Sequence, residues 1–360
     1  MNAVPATMRA AVMYAAGDVR IEERPVPSLE SGDLLVRMGA SGICSGDLID
    51  WYVARKAPLV FGHEPSGTVV AAGVGSPPED EALIGSRIFA HHHTPCLVCR
   101  ACEKGRYVQC SRWRSTALDP GAMAEFFRVP RSNRAEVRAI PQDVPFVAAS
   151  LIEPLACVVK SLRRGTGAPV RWSGETLEQT LRGCSVYVVG LGIMGLLHVV
   201  LARALGAEVF GSDFVAQRRV LATALGASAF SPEEALEGLH RATEGAGADI
   251  VVCGPGTSKA LAHALNGAAA GGTVVMFAPF RPEERFVLDQ SDVYFRDLRL
   301  LGSYSAGPDD TAASHELVVH RMIAPERLGV STWPLCEAPQ AYAAMESQSV
   351  VKAVVLGSPA

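Results

Sequence analysis

The chain has 360 residues, of which 49% are apolar and 19% charged, with a net charge of −4 and a pI of about 6.2. This length favours two compact domains, and the weak net charge gives no indication of a nucleic-acid partner or of binding to an acidic membrane. The N-terminal segment lacks the basic stretch and apolar core of a signal peptide, so we expect a cytoplasmic protein whose nine cysteines stay reduced.

The first 150 residues predict a domain rich in strands. Residues 8–40 alternate between apolar and polar positions in short runs, with turn signals at Gly17-Asp18 and Ser31-Gly32. Residues 62–75 and 121–140 continue the pattern, and the loops between them carry cysteines and histidines.

From Ser185 onward, strands alternate with amphipathic helices, which predicts βαβ units and a parallel sheet. The apolar stretch 185–210 contains His198, Arg203 and four glycines, so a strand turning into a helix explains it better than a membrane span. The tail resembles the N-terminal part again. The expected domains are therefore residues 1–157 with a cysteine lobe at about 91–113, residues 158–296, and a return segment at 297–360.

A glycine-rich turn, GLGIMG at 190–195, follows the first strand of the parallel sheet. A GxGxxG motif between a strand and a helix, with an acid near the end of the next strand, is typical of the Rossmann dinucleotide site. Asp213 is placed to bind the adenosine ribose and to repel a 2′-phosphate, which favours NAD over NADP. Arg218 either covers the adenine or is a solvated helix charge. The expected cofactor contacts are Gly190, Gly192, Ile193, Met194, Gly195, Asp213 and Arg218.

Four closely spaced cysteines provide the most specific signal in the chain. Cys96, Cys99, Cys102 and Cys110 have the spacing of a tetrahedral zinc site. Four thiolates leave no open coordination position, so this zinc is expected to be structural.

A second set of candidate metal ligands consists of Cys44, of His63 and Glu64 in a GHE sequence, and of the isolated Glu153. A thiolate, an imidazole and a carboxylate leave a coordination position open for water or substrate. Each residue also has an ordinary interpretation: a core thiol, a hydrogen-bonded core histidine, and an acid at the start of a helix.

With these motifs in this order, the chain resembles the zinc-dependent medium-chain alcohol and polyol dehydrogenases, in particular their sorbitol and threonine dehydrogenase branch. The resemblance implies a GroES-like catalytic domain, a Rossmann domain, and two zinc ions per chain. It implies Cys44 and His63 as ligands of the catalytic zinc, with Glu153 as a third ligand, Glu64 as an exchangeable one, and Asp47 orienting His63.

The chain departs from the family at the proton relay. Members commonly carry Ser or Thr two residues after the ligand cysteine, and several carry His five residues after it, but this chain has Gly46 and Ile49. His93 lies three residues before Cys96, where threonine dehydrogenases have an active-site histidine. The triplet His91–His93 is otherwise a solvated loop or an adventitious metal binder.

The expected activity is reversible hydride transfer between NAD(H) and a secondary alcohol or ketone, such as a polyol, cyclitol or sugar-like substrate. The alternatives are a threonine-type β-hydroxy amino acid dehydrogenase and a non-catalytic NAD-binding protein. The resemblance also implies a homodimer or homotetramer.

Overall fold

The computed structural model describes residues 4–173 and 176–358. The chain divides into two compact units, one formed by Met1–Ala156 together with Ala306–Ala360, and the other by Cys157–Ser305. The second unit runs past residue 296, where the sequence analysis placed its end, because Arg299–Gly302 pairs with Ala268–Met276 as a further parallel strand.

The first unit contains a seven-stranded sheet and a three-stranded sheet. The larger sheet has the order Val330–Pro334, Lys352–Leu356, Leu34–Gly42, Glu64–Ala72, Arg87–Ala90 and Val137–Ala139, with Phe126–Val129 also pairing with Leu34–Gly42. The smaller has the order Asp18–Pro25, Thr7–Ala15 and Leu59–Val60. Apolar residues of Leu34–Gly42, such as Leu34, Val36 and Met38, fill the core of this unit.

The register at the end of one central strand positions the first unit's metal ligands. Gly42 pairs with Glu64 on one side and with Val354 on the other, in antiparallel ladders. The Cys44 turn, the His63–Glu64 pair and the strand Lys352–Leu356 therefore meet at one point of the sheet.

The second unit contains a six-stranded parallel sheet in the order Ser228–Phe230, Glu208–Ser212, Ser185–Val189, Ala248–Cys253, Ala268–Met276 and Arg299–Gly302. The inner strands are buried almost continuously, as parallel strands covered by helices are. A small hairpin pairs Trp172–Ser173 with Thr176–Leu177. The apolar stretch at 185–210 forms a strand, Ser185–Val189, and a helix, Ile193–Ala204. Within the described residues no helix is long and apolar enough to cross a membrane.

Most helices of the first unit are single turns, and most of those around the parallel sheet are longer. Those of the first unit are Asp50–Val53, Pro78–Glu81, Arg100–Glu103, Ser111–Ser115, Phe146–Ser150, Pro308–Val319 and Ala338–Glu346. Those of the second are Ile193–Ala204, Ala216–Ala224, Pro232–Ala242, Ser258–Gly267 and Gln290–Phe295, and Ile152–Thr166 runs from the first unit into the second. Short 3₁₀ segments occupy Ser45–Leu48, Tyr107–Gln109, Arg131–Glu136, Pro325–Leu328 and Leu335–Glu337.

Candidate metal centre and cofactor turn

Cys44, His63 and Glu64 form one group of candidate metal ligands. One ligand atom from each lies within 4.8 Å of the others. Zinc bonds of about 2.0–2.3 Å place tetrahedral ligands roughly 3.3–3.8 Å apart, so small side-chain movements would close the group around an ion. Cys44 precedes the 3₁₀ turn Ser45–Leu48, and its Sγ accepts a hydrogen bond of 3.3 Å from the Gly46 amide.

Glu64 is held by a buried lysine. Its Oε2 lies 2.5 Å from Lys352 Nζ, and the same ammonium group donates to the Ile43 carbonyl oxygen at 2.7 Å. Gly42 leaves room for this carboxylate, since a Cβ there would lie 2.0 Å from Glu64 Oε2. The ion pair compensates the buried charge, and the second carboxylate oxygen stays available to a metal ion.

The electrostatics of the group suit a bound cation. Burial raises the pKa of the Cys44 thiol, although His63 opposes the shift. Burial alone would lower the pKa of His63, but Asp47 and Cys44 outweigh it and raise that pKa well above its usual value. In the metal-free protein, the negative groups around His63 therefore favour its protonated form. A bound divalent ion would supply the positive charge in place of that proton.

Asp47 lies beside His63 without a hydrogen bond to it. Its Oδ1 is 4.0 Å from His63 Nδ1, beyond hydrogen-bonding distance, and its Oδ2 has no hydrogen-bond partner among the described residues. The Tyr342 hydroxyl donates to the Asp47 carbonyl oxygen at 2.9 Å and fixes the turn from behind. Orientation of His63 by Asp47 therefore stays a prediction.

Glu153, at the start of the helix Ile152–Thr166, belongs to a different group of ligand atoms. It clusters with His91 and His92, with ligand atoms again within 4.8 Å of one another. Its Oε1 lies 3.9 Å from His91 Nε2. Burial raises the pKa of Glu153 to about 7, although His63 opposes the shift. Of the two glutamates proposed from the sequence, Glu64 is the one grouped with Cys44 and His63.

The three consecutive histidines have their rings next to one another but contact different neighbours. The ring of His92 lies 4.8 Å from that of His63, whereas the ring of His93 lies 4.1 Å from Trp113. His93 Nδ1 is 2.5 Å from the Thr116 carbonyl oxygen. Burial lowers the pKa of His93 to about 4, even though the bond to Thr116 opposes the shift. His93 is thus a weaker base than a solvated imidazole.

The four cysteines of the lobe converge as their spacing predicts. Their thiols form a third group of candidate ligands: Cys96, Cys99, Cys102 and Cys110. Sulfur–sulfur distances of 3.9 Å between Cys96 and Cys102 and 3.6 Å between Cys99 and Cys102 bracket the ~3.8 Å edge of a zinc–thiolate tetrahedron. Val108 and Trp113 are the other buried side chains of this lobe, so its core is small and a metal would supply much of its stability.

The glycine-rich turn fits a dinucleotide. Gly190 has φ +89°, which favours glycine, and a Cβ on Gly195 would lie 2.0 Å from the Gly190 carbonyl oxygen. A Cβ on Gly192 would meet nothing within 4 Å, so the backbone there is open to a pyrophosphate. Gly192 caps the helix Ile193–Ala204 without a side-chain hydrogen bond, which leaves the amides of the first turn for phosphate oxygens.

Asp213 lies at the end of the next strand, as expected. Its carboxylate accepts hydrogen bonds from the Leu191 amide at 2.7 Å and the Val215 amide at 2.8 Å. Arg218 Nη1 is 3.6 Å from Asp213 Oδ2, so this arginine lies against the carboxylate instead of in open solvent. The two residues share the position at which a ribose would be recognised.

The chain matches two protein families: the alcohol dehydrogenase GroES-like domain over residues 30–141 and the zinc-binding dehydrogenase over residues 194–320. It is 32% identical over 310 residues to the L-threonine 3-dehydrogenase of Symbiobacterium thermophilum, covering 82% of each chain. The chain belongs to the zinc-dependent medium-chain dehydrogenases. This dehydrogenase is also 29% identical over 288 residues to the sorbitol dehydrogenase of Bacillus subtilis, covering 76% of each chain.

Among solved structures, the dehydrogenase is similar to the alcohol dehydrogenase TADH from Thermus sp. ATN1, with a TM-score of 0.82 and 27% identity, covering 98% of this chain and 100% of that one. The expected GroES-like and Rossmann fold is confirmed. The family makes the chain a zinc-dependent oxidoreductase of the alcohol and polyol type, and the non-catalytic alternative has no support.

Three residues of the dehydrogenase's metal region were missed in the sequence analysis. Lys352 is a single cation in an otherwise apolar strand, and a charge in that setting indicates a buried ion pair. His91 and His92 were read only as parts of a triplet, because no spacing rule tells which imidazole of three turns inward. Trp51 and Tyr52, which follow the Cys44 turn, contact each other edge to face, and Lys56 Nζ lies 3.8 Å from the Tyr52 ring centroid.

Proposed function

We propose that this dehydrogenase catalyses reversible, NAD-dependent oxidation of a secondary alcohol, with a polyol, cyclitol or sugar-like substrate. The observation that carries the proposal is the group formed by Cys44, His63 and Glu64, in which the Lys352 ion pair fixes the carboxylate. One thiolate, one imidazole and one carboxylate are a ligand set for zinc with a position left open for substrate.

A zinc ion held by Cys44, His63 and Glu64 would supply Lewis-acid polarisation of the substrate hydroxyl, and NAD held at the glycine-rich turn would supply the hydride acceptor. The chain's own residues prepare this step. The Cys44 thiolate and the Glu64 carboxylate balance the charge of the ion, and Lys352 keeps Glu64 in place. The Glu64–Lys352 pair is buried, so water is excluded from it and its electrostatic interaction is strengthened.

The proton of the substrate hydroxyl must reach solvent, and Gly46 has no side chain that could carry it. We assign this transfer to His93, whose Nδ1–H can donate to the Thr116 carbonyl oxygen and so leave the Nε2 lone pair as the acceptor. A neighbouring hydroxyl of the substrate is the other route. The pH profile of His93→Asn separates them, since an unchanged kcat and pH dependence would exclude His93.

The cofactor is NAD rather than NADP, because the Asp213 carboxylate would repel a 2′-phosphate. Arg218, which lies against that carboxylate, moderates the preference. Each chain takes two zinc ions for this function, one in the cysteine lobe and one at Cys44, His63 and Glu64.

The enzyme is proposed to be a homodimer or homotetramer of the cytoplasm. Arg299–Gly302 ends the order of the six-stranded sheet, and the side chains of Tyr294 and Phe295 beside it are exposed. An uncovered sheet edge next to apolar side chains favours pairing with a second copy. A reducing compartment suits the nine free thiols. Light scattering with size-exclusion chromatography measures the oligomeric state.

A threonine-type substrate is the second candidate, favoured by the 32% identity to an L-threonine 3-dehydrogenase. Polyols, cyclitols, L-threonine and simple secondary alcohols are assayed side by side with NAD, and NADH formation is recorded. We expect kcat/KM to be highest for a polyol or cyclitol. Preference for L-threonine would replace this substrate class with the second one, and no NADH with any compound would contradict the proposed function.

A further inference from the structure

Lys56 is an exposed cation that lies shortly after the Cys44 turn in the chain. It follows the short helix Asp50–Val53, which comes directly after the 3₁₀ turn Ser45–Leu48. Among the residues that the structure describes, no carboxylate forms an ion pair with Lys56. The ammonium group is therefore available to an anion that does not belong to this unit of the chain.

An aromatic ring holds this ammonium group in place. Lys56 Nζ lies 3.8 Å from the centroid of the Tyr52 ring, which is a cation–π contact. Trp51 packs edge to face on Tyr52, with ring centroids 5.8 Å apart and an interplanar angle of 74°. Both aromatic residues are half-buried. The contact restricts a long side chain that would otherwise move freely in solvent, so its charge has a defined position.

The charge of Lys56 acts on side chains around the candidate metal ligands. Burial raises the pKa of Asp47, and the ammonium group of Lys56 opposes this shift. Burial lowers the pKa of His93 to about 4, and Lys56 contributes to lowering it. The pKa of His92, whose ring lies 4.8 Å from that of His63, is also lowered, chiefly by burial and in part by Lys56. Because Coulomb interactions weaken with distance, these three effects place Lys56 near the metal ligands.

We propose that Lys56 binds an anionic group of the substrate, so that the preferred substrates are polyol or cyclitol derivatives that carry a carboxylate or a phosphate away from the reacting carbinol carbon. The inference rests on the proposed function, because it narrows the substrate class of the same site. An ammonium group forms charge-assisted hydrogen bonds to carboxylate and phosphate oxygens, whereas a neutral polyol gains little from the charge. Lys56 determines specificity here and takes no part in the transfer of hydride or proton.

Matched neutral and anionic substrates test this assignment in the full-length, zinc-loaded enzyme with NAD. Sorbitol is compared with D-gluconate and with sorbitol 6-phosphate, and myo-inositol with myo-inositol 1-phosphate. An anionic member should exceed its neutral counterpart at least tenfold in kcat/KM, mainly through a lower KM. The advantage should shrink as salt is added, since the ammonium group is exposed. Preference for gluconate identifies the anion as a carboxylate, and preference for a phosphate ester identifies it as a phosphate.

Variants of Lys56 assign the preference to this residue. Lys56→Gln removes the charge and keeps a polar side chain, so the ratio of anionic to neutral kcat/KM should fall about tenfold or more and lose its salt dependence. Lys56→Arg retains the charge and should keep most of the ratio. Lys104→Gln, at another exposed lysine of the first unit, is the matched control and should have the ratio of the wild type.

A wild type that oxidises neutral and anionic members equally well would overturn the inference. So would a Lys56→Gln variant with the ratio and salt dependence of the wild type. Either result would leave the proposed function standing, because NADH would still form with these substrates. If no member of the series gave NADH, the proposed function itself would be contradicted, and the inference with it.

Discussion

Glu64 and Lys352 form an ion pair in which each side chain is only 1% exposed. The two residues come from strands on either side of Leu34–Gly42, and Lys352 also binds the carbonyl oxygen of Ile43, next to Cys44. The C-terminal strand is therefore part of the metal centre, because it supplies the cation that holds one of the candidate ligands.

Replacing that cation should destabilise the protein strongly. Lys352→Met leaves the Glu64 charge buried without its partner, which costs about 3–5 kcal/mol in the free energy of unfolding. Lys352→Met/Glu64→Gln should recover a large part of the loss, since it removes the uncompensated charge. Lys259→Met, at an exposed lysine, is the control. Denaturant unfolding measures the effect, and equal midpoints for Lys352→Met and the control would contradict it.

Sequence patterns predicted the sites whose residues lie close together along the chain. The cysteine spacing and the glycine-rich turn predicted their sites because all their residues lie on one loop or one strand–helix connection. Asp213 was found because the distance from Gly190 is set by one helix and one strand. These features could be recognised without knowing how the rest of the chain folds.

Features that depend on distant contacts could not be predicted. Lys352 is separated from Glu64 by 288 positions, and no local pattern joins them. The backbone of His91 and His92 is bound by Asn133 and the ring of His93 by the Thr116 carbonyl oxygen, and both partners lie on other segments. The end of the second unit was placed too early because only strand pairing shows that Arg299–Gly302 belongs to it.

The cysteine lobe should depend on its zinc. Cys110→Ser removes one of four thiolates from a lobe with a small core, so about one zinc ion per chain should be lost and the melting temperature should fall. Cys336→Ser, at an exposed cysteine, is the matched control. Zinc analysis by mass spectrometry and a thermal scan give the two readouts. Unchanged zinc content in Cys110→Ser would rule out a four-thiolate site.

Asp213 should set the preference for NAD. Asp213→Ala removes hydrogen bonds of a charged group to the ribose, worth about 1.5–3 kcal/mol, so kcat/KM for NAD should fall roughly 10- to 100-fold. The ratio of NADP to NAD activity should rise because the repulsion of a 2′-phosphate is lost. Asp297→Asn, at an exposed aspartate, should behave as the wild type. A variant with the original cofactor ratio would exclude Asp213 as the determinant.

Glu153 should make the stability of the metal-free protein depend on pH. Burial raises its pKa to about 7, whereas an unfolded chain releases the proton near pH 4.5. The folded state therefore binds more protons between these values, and the stabilisation from protonated Glu153 is complete below about pH 4.5 and lost as the pH rises through 7.

The comparison with Glu153→Gln isolates this contribution. The free energy of unfolding of the wild type, measured relative to that of Glu153→Gln, should decrease by up to ~3 kcal/mol from pH 4.5 to pH 8. Glu283→Gln, at an exposed glutamate, is the surface control. A difference that does not vary with pH would show that Glu153 titrates as a solvated carboxyl group.

Cys44 is the ligand on which the proposed catalytic zinc depends most, and zinc content measured together with NADH formation tests its role most directly. Cys44→Ala should contain about one zinc ion per chain fewer than the wild type and lose at least a thousandfold in kcat/KM, while Cys336→Ala should change neither. If Cys44→Ala kept the zinc content and the activity of the wild type, the catalytic metal centre would have to lie elsewhere.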